Sequence, residues 1–523
     1  MTEKPETIGV MLDAQARRIP DHAFLRFDGT DTSYAEIAER TTRLASAFSR
    51  IGMRRGDRLA IMSTNRPEFI EAWFATTRIG VVETPLNVDF RGRFLAYAIT
   101  NSQAAHLLIE RSLLEHLLAV VADLPTLVTI VVIDGQGVAP VDGRQVFDYA
   151  ELLASGDDAP IDADVSVHDV AVIGYTSGTT GASKGVMISH QAAWYAAADA
   201  RINRGLGGDD VFATSLPLFH LNAQHLTTMA VVQAGATLAL ERKFSASGFW
   251  ATLDRVGATH INFIGAMLGI LARREPSPDE WSDAPRIAFG GPLTPDVLAA
   301  GAERWNLRFI TGYGATESGI ITYDWADDLP PGSFGRPVAG FAMQIVDDEG
   351  EPVPDGVAGE IVTRPMRADS MTSGYWGMPE KTVEAWRDLW FHSGDIGRRD
   401  ENGFFYFVDR KKDALRRRGE NISSSELEQA IRDFPGLADV AVIGVPSPLG
   451  EDDVKACVVL APEATFDPGE FFVWSARSLP RFMVPRYVEV FDELPRTPTQ
   501  RVEKYKLRES PFGPGVTDRE ALA

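Results

Sequence analysis

Between residues 175 and 186 the chain reads YTSGTTGASKGV, a lysine set among glycines and hydroxyl side chains. Tyr175, Thr176, Ser177, Thr179, Thr180 and Ser183 carry the hydroxyls, and Lys184 adds one mobile positive charge. A loop of this kind bends tightly at its glycines and turns N–H groups and hydroxyls toward a phosphate. The apolar run 169–174 before it has strand length, and 187–200 after it reads as a helix. The expected local order is therefore strand, loop, helix. A flexible linker is the plain alternative, but a linker rarely sets a lysine among ordered glycines between a buried strand and a helix. The P-loop pattern G-x-x-x-x-G-K-[ST] fails, because Ser183 precedes Lys184 and Gly185 follows it.

Other stretches could supply the rest of a site. TGYGATES, 311–318, offers a ring in Tyr313, a hydroxyl in Thr316 and a carboxylate in Glu317. WFHSGDIG, 390–397, holds Asp395, which stands fifteen residues before Arg410 with NGFFYF between them, as a hairpin would place the pair. LPLFH, 216–220, ends in His220, and a lone histidine can equally be structural. NFIGAM and AFGGPL are strand ends rich in small residues, where a ligand approaches the backbone or strands simply pack tightly. Arg410, Lys411, Lys412, Arg416, Arg417 and Arg418 form a basic run in an acidic protein, which suits an anionic ligand or a solvated hinge.

YTSGTTGASKGV and TGYGATES together closely resemble two motifs of the acyl-adenylate-forming superfamily, which includes acyl-CoA synthetases, adenylation domains and luciferases. Ser183 stands where that family usually has proline. Weaker landmarks follow in the family's order: SYAEIAER, Gly56-Asp57, Asn65 and Pro85-Leu86-Asn87. The resemblance covers nearly the whole chain. It implies that Thr176, Ser177, Gly178, Thr179, Thr180 and Lys184 surround nucleotide phosphates. Gly290, Gly291 and Pro292 would lie beside adenine, Tyr313 would stack on it, and Thr316 would reach a phosphate. Glu317 would hold Mg²⁺, which binds through one or two carboxylates plus phosphates. Asp395 would accept from the ribose hydroxyls, and Arg410 would contact the nucleotide. His220, Asn222, Ala223 and Gly265 would border the acyl group. Arg418, Gly419 and Glu420 would face CoA, with Gly419 beside the pantetheine tunnel. Lys412 would be the hinge. LPLFHLNAQ and DRKKDALRRRGENIS are similar to the crotonobetaine/carnitine–CoA ligase-like branch.

One family position is changed. The family carries PRTxxGKxxK near its C-terminus, and this chain reads LPRTPTQRVEKYKLR. Gln500 replaces the glycine and Arg501 the lysine that bridges the substrate carboxylate and the α-phosphate during adenylation. Arginine keeps the charge but is longer, planar and forked. Lys504 aligns with the second basic position and is the weaker substitute. The expectation is an acyl-CoA ligase whose adenylation step is impaired and whose thioester step survives. The altered lysine is also similar to the acyl-CoA ligases of platensimycin-type diterpenoid biosynthesis. An adenylating enzyme that loads a carrier protein and a non-catalytic nucleotide-binding protein are the alternatives.

Composition bounds these readings. The chain has 523 residues, enough for two or more domains around a large core. Its formal net charge of −22 argues against nonspecific nucleic-acid or anionic-membrane binding. Cys457 is its one cysteine, which excludes an internal disulfide framework. The opening MTEKPETIGV lacks a signal-peptide apolar core, and no 18-residue uncharged apolar run is present, so a cytoplasmic protein without a membrane span is expected. Strands alternating with helices imply an α/β fold. The expected architecture is a large N-terminal domain of stacked sheets and helices, 1–409, and a small mobile α+β C-terminal domain, 410–523. Substrates and cofactors are ATP or acyl-AMP, CoA and Mg²⁺. A carboxylic acid, a partner adenylating ligase and a homodimer complete the expected associations.

Overall fold

The computed structural model describes residues 4–159, 161, 163–176, 183–277, 280–410, 414–448, 450–496 and 502–522. Local signals place its first helices. Ser33 Oγ accepts from the Glu36 N–H at 3.2 Å, and Glu36 accepts from the Ser33 N–H at 2.7 Å. This reciprocal box starts the helix Tyr34–Arg50, whose Ile37, Leu44 and Phe48 are fully buried. Pro67, with φ already set for a first turn, starts the helix Pro67–Arg78.

These helices lie between two eight-stranded sheets. One runs Asp324–Trp325, Leu307–Thr311, Arg286–Gly291, His260–Ile264, Val211–Thr214, Thr237–Leu240, Ala23–Phe27, Thr30–Ser33. The other runs Gly374–Tyr375, Lys184–Ser189, Val170–Thr176, Val82–Pro85, Arg58–Met62, His106–Glu110, Thr129–Ile133, Gln145–Asp148. Both are mostly parallel, as helical crossovers require. A single apolar core joins Leu59 and Ile61 of the second sheet, Phe212 and Ile261 of the first, and Trp73 between them. Fully burying side chains of this kind contributes about 1.5–3 kcal/mol each.

A six-stranded sheet follows, in which Trp390–Arg399 and Phe405–Arg410 form the expected hairpin, with Asp395 opposite Arg410. The C-terminal sheet orders Leu437–Pro446, Asp452–Leu460, Tyr487–Phe491 and Thr517–Asp518 around its own core of Leu427, Val440, Val454 and Phe471. Phe94, from the larger domain, packs into that core and ties the two together. Among the described residues no helix is long and apolar enough to cross a membrane.

The expected strand–loop–helix order around Lys184 is corrected. Lys184–Ser189 is a strand, paired antiparallel to Val170–Thr176 with Thr176 opposite Lys184. Val186 and Ile188 alternate into the core, a period of two that suits a strand. The helix begins only at His190, where Ser189 Oγ accepts from the Ala192 N–H at 3.0 Å. Ser177, Gly178, Thr179 and Thr180 lie outside the described residues.

Candidate active site

The strand Lys184–Ser189 carries Lys184 to one side of a shared site. Lys184 Nζ lies 4.2 Å from the ring centroid of Tyr375, in cation–π range. The Tyr375 hydroxyl donates to Glu317 at 2.8 Å, and burial followed by the Glu317 carboxylate pushes the phenol pKa up. The segment before Tyr375 fixes this geometry. The Thr372 N–H donates to the Glu317 carbonyl at 2.7 Å, and Thr372 Oγ1 donates to the Met187 carbonyl at 3.0 Å. Two motifs far apart in sequence are thereby locked together.

Tyr313 and Asp395 meet in the same way. The Tyr313 hydroxyl donates to Asp395 at 2.7 Å, and the ring stacks on Phe334 at 4.7 Å between centroids. A carboxylate held by a phenol beside an aromatic face suits a nucleoside, with ring contact for a base and an acceptor for ribose hydroxyls. Asp395→Ala is expected to weaken AMP binding by about 1.5–3 kcal/mol, the range for hydrogen bonds to a charged group. Calorimetry reads this directly, and unchanged affinity in a folded variant would remove Asp395 from the nucleotide site.

Thr316 and Glu317 line a cavity of about 280 Å³ together with Ile188, His220, Asn222, His225 and Ile264. Part of its lining comes from the C-terminal part of the chain, as Arg416, Arg418, Gly419 and Glu420. These residues sit on the hairpin made by Ala414–Arg417 and Glu420–Ser423. Its two turn residues, Arg418 and Gly419, have φ of 53° and 83°, the left-handed pair that a tight hairpin needs. Strand alternation then sorts the basic run. Arg417 is buried against Asp453 and donates to the Val484 carbonyl, whereas Arg416 and Arg418 face the cavity.

Glu420 joins the two domains. It meets His220 Nε2 at 2.7 Å and accepts from Asn87 Nδ2 at 3.3 Å. Burial alone lowers the His220 pKa, but the Glu420 carboxylate overrides it and raises the value. A second bridge involves the departure at Ser183. Ser183 Oγ lies 3.5 Å from Glu426, whose carboxyl also accepts from the Ser183 backbone, a donor that proline lacks. Burial pushes Glu426 up to about 7, against the lowering by these Ser183 bonds and by Arg93.

Several expected residues stand apart from the cavity. A Cβ on Gly290 would lie 2.1 Å from the Phe263 carbonyl oxygen, and one on Gly265 would lie 2.7 Å from the Pro292 carbonyl oxygen. Strand and loop packing therefore already requires glycine at both. Gly291 has more room, with Thr311 Oγ1 at 3.3 Å. Thr176 ends the strand Val170–Thr176, across from Lys184, while Ala223 is buried in the core beside Asn222. Lys504 is buried in the smaller domain, donating to Ser424 Oγ at 2.6 Å and pairing with Glu428 at 2.7 Å. Arg410 is placed by its strand pairing with Asp395. Lys411, Lys412, Gln500 and Arg501 lie outside the described residues. His225 lines the cavity and was not anticipated, because nothing in the sequence marks the turn that carries it. That turn is π-helical, Asn222–Met229, with Thr228 Oγ1 donating to the Ala223 carbonyl five residues back.

The fold and site define an AMP-binding enzyme. The family described by that name matches residues 12–376, and the AMP-binding enzyme C-terminal domain matches residues 426–501, so the chain belongs to this acyl-adenylate-forming family. Its sequence is 32% identical over 480 residues to the crotonobetaine/carnitine–CoA ligase of Salmonella paratyphi A, covering 91% of this chain and 93% of that relative. The structure overlays with a TM-score of 0.82 on a double mutant of the o-succinylbenzoate CoA synthetase of Bacillus subtilis bound with its product analogue OSB-NCoA. That match has 24% identity and covers 97% of this chain and 99% of the other. On the o-succinylbenzoate CoA synthetase of Bacillus subtilis in complex with AMP the TM-score is 0.67, at 25% identity and over 97% and 98% of the two chains.

Proposed function

We propose that this protein is an AMP-forming acid–thiol ligase that joins a carboxylic acid to CoA through an acyl-adenylate. The observation that carries this is one cavity bounded by Thr316 and Glu317 on one side and by Gly419 and Glu420 on the other. In the first step the acid's carboxylate attacks the α-phosphorus of ATP and pyrophosphate leaves. In the second the CoA thiolate attacks the acyl carbonyl and AMP leaves. Tyr313 and Asp395 hold the nucleoside, with Gly290, Gly291 and Pro292 as further candidates and Arg410 as a nucleotide contact. Lys184, Thr316 and the loop from Thr176 through Ser177, Gly178, Thr179 and Thr180 bind phosphates. His220 and Asn222 border the acyl group, with Gly265 as a further candidate behind the cavity wall, and Arg418 meets CoA phosphates.

Glu317 lines the cavity and gives one oxygen to Tyr375. Among the described residues no group of three or more His, Cys, Asp or Glu could hold a metal. Magnesium shared with phosphates needs only one such carboxylate, so Glu317 fits it, and the ion would offset charge on those phosphates.

The division of labour places residues 1–409 in the catalytic body and 410–523 in a lid that hinges near Lys412. The better overlay on the structure with OSB-NCoA than on that with AMP supports reading the present arrangement as the thioester-forming one. The test supplies acyl-AMP with CoA or with a carrier protein. Thioester on CoA is expected. Acyl transfer only to the carrier protein would replace this reading, and no transfer to either would leave a nucleotide-binding protein.

Lid docking is expected to depend on pH. Glu426 has its pKa raised in the docked state from an ordinary 4.5, so its contribution is fully present below about 4.5 and is lost as pH rises through about 7. His220 is also raised, and its pair with Glu420 is likewise lost with rising pH, with Arg416 nearby opposing protonation. A fluorophore pair spanning the domains should separate as pH goes from about 5 to about 8, and Glu426→Gln should flatten part of that change. A distance constant across that window would overturn the linkage.

A further inference from the structure

We propose that Arg204 is a positioning residue for acyl selection, whose buried guanidinium holds the π-helical turn Asn222–Met229 in register as one wall of the acyl cavity. The inference rests on the acid–thiol ligase reading of that cavity. Arg204 closes the helix His190–Arg204 and is 1% exposed. Its Nη1 donates to the Leu226 carbonyl at 2.7 Å. The guanidinium lies over the Phe289 ring, 3.9 Å from its centroid, with Phe212 at 5.6 Å and Tyr323 at 5.9 Å. Among the described residues no carboxylate forms an ion pair with it. Burial lowers its pKa to about 10, against the neighbouring Tyr323, and leaves it charged at neutral pH. A buried charge held by rings and one carbonyl costs stability that an apolar side chain of similar volume would not. Departures of this kind are expected where function keeps them.

The carbonyl that Arg204 holds belongs to an unusual turn. A π-helix bonds i to i+5, takes one residue more per turn than an α-helix, and occurs mostly at functional sites. Ala192 and Ala196 of the helix and Leu226 of the turn line the same cavity, so the Arg204–Leu226 bond ties two of its walls together. Other buried bonds pin the rest of the turn. Gln224 Nε2 donates to Glu83 at 2.9 Å, Asn262 Nδ2 donates to Thr227 Oγ1 at 2.9 Å, and Thr228 Oγ1 donates to the Ala223 carbonyl at 2.8 Å. Neither Arg204 nor Thr228 lines the cavity, so each acts on an acyl group only through the wall it holds. Without the Arg204 anchor the turn would relax toward α-helical pairing, one residue tighter. That would rotate Leu226 and the residues before it out of their present places in the wall.

The test compares the full-length parent with Arg204→Met, Arg204→Lys and Thr228→Val. Methionine fills the space without charge or donor, whereas lysine keeps the charge and one donor. Calorimetry measures binding of the acyl-sulfamoyl adenosines of butanoic, hexanoic, octanoic and benzoic acids, with AMP as a reference that carries no acyl group. The parent is expected to separate its best from its poorest acyl group by about 10-fold or more, the scale of single-methylene discrimination. Arg204→Met should compress or reorder that ranking by about 10-fold. Its AMP affinity should stay unaltered and its Tm unchanged or raised, as removal of a buried charge predicts. Arg204→Lys should recover part of the ranking, and Thr228→Val, which loses the turn's own bond, should disturb it. A parent without preference, a ranking unchanged in Arg204→Met, or a loss of AMP affinity and Tm in step with the ranking overturns the proposal. Should Arg204→Met not fold, an unchanged ranking in Arg204→Lys and Thr228→Val overturns it instead. Failure of thioester formation from every acyl-AMP would sink the ligase reading, and the binding ranking would still judge Arg204.

Discussion

Arg501→Lys is expected to raise the rate of acyl-adenylate formation from free acid and ATP by roughly 10²-fold, with thioester formation from supplied acyl-AMP unchanged within about two-fold. Negative charge builds between the carboxylate and the α-phosphate during adenylation. A preplaced donor there is worth about 2.7–4 kcal/mol, or ~10²–10³ in rate. Arginine preserves the charge but moves the donor, and an error of about 1 Å costs about 10²-fold. Lys504 is a poor stand-in, since its ammonium is already committed to Ser424 and Glu428 inside the smaller domain. On the proposed reading, thioester formation would use the hairpin at Gly419 and need no donor at residue 501. The parent would then depend on adenylate made elsewhere, as by a partner ligase. Measuring both half-reactions in parent and variant decides it. Brisk ATP-dependent adenylation by the parent with any suitable acid would falsify the split. No gain from Arg501→Lys alone would move attention to Gln500, and the double change with Gln500→Gly would then be measured.

Gly419→Leu is expected to slow thioester formation from preformed acyl-AMP by at least roughly 10²-fold, leaving AMP affinity nearly unaltered. Gly419 has φ of 83°, and a Cβ there would already lie 3.0 Å from Ile264 Cδ1 in the cavity wall. A leucine side chain must enter the space that the thiol crosses. It also pays for a left-handed backbone, a cost of about 1–2 kcal/mol for a residue with a Cβ. Gly419→Ala separates the two effects, because it carries the strain with little of the bulk. Rapid quench gives the rates. A leucine variant as fast as the parent, or an alanine variant as slow as the leucine one, would count against a blocked path.

Much of this arrangement was legible because short-range signals happened to be strong. The Ser33–Glu36 box, the Pro67 start and the hairpin spacing of Asp395 and Arg410 are each set within fifteen residues of sequence or fewer, and each is realised as read. The segment after Lys184 was misread for the same reason. Its alanine-rich stretch is indeed helical from His190, but helix propensity could not show that Lys184–Ser189 has a partner strand to pair with. Pairing is a tertiary fact. The glycines at 265 and 290 were open to two readings, close ligand approach or tight packing, and the neighbouring carbonyls show that packing alone already requires glycine there. His225 was not anticipated because nothing in the sequence marked the segment after LPLFH as helical, although three residues from Asn222 is a same-face spacing on a helix.

Glu420 and Gly419 come from the smaller domain and line a cavity whose other lining residues belong mostly to the larger one. If the acyl group occupies this cavity, as proposed, selection of the acid would be divided in time. An acid is first weighed by the walls of the larger body, then again when the hairpin tries to seat against His220 and Asn87. An acid that satisfies the first inspection but holds the hairpin off its seat stays bound and is passed over, since the thiol's route is assembled only with that last wall. On that reading the enzyme would gain a checkpoint without a hydrolytic editing site, built around the His220–Glu420 pair shared across a domain boundary.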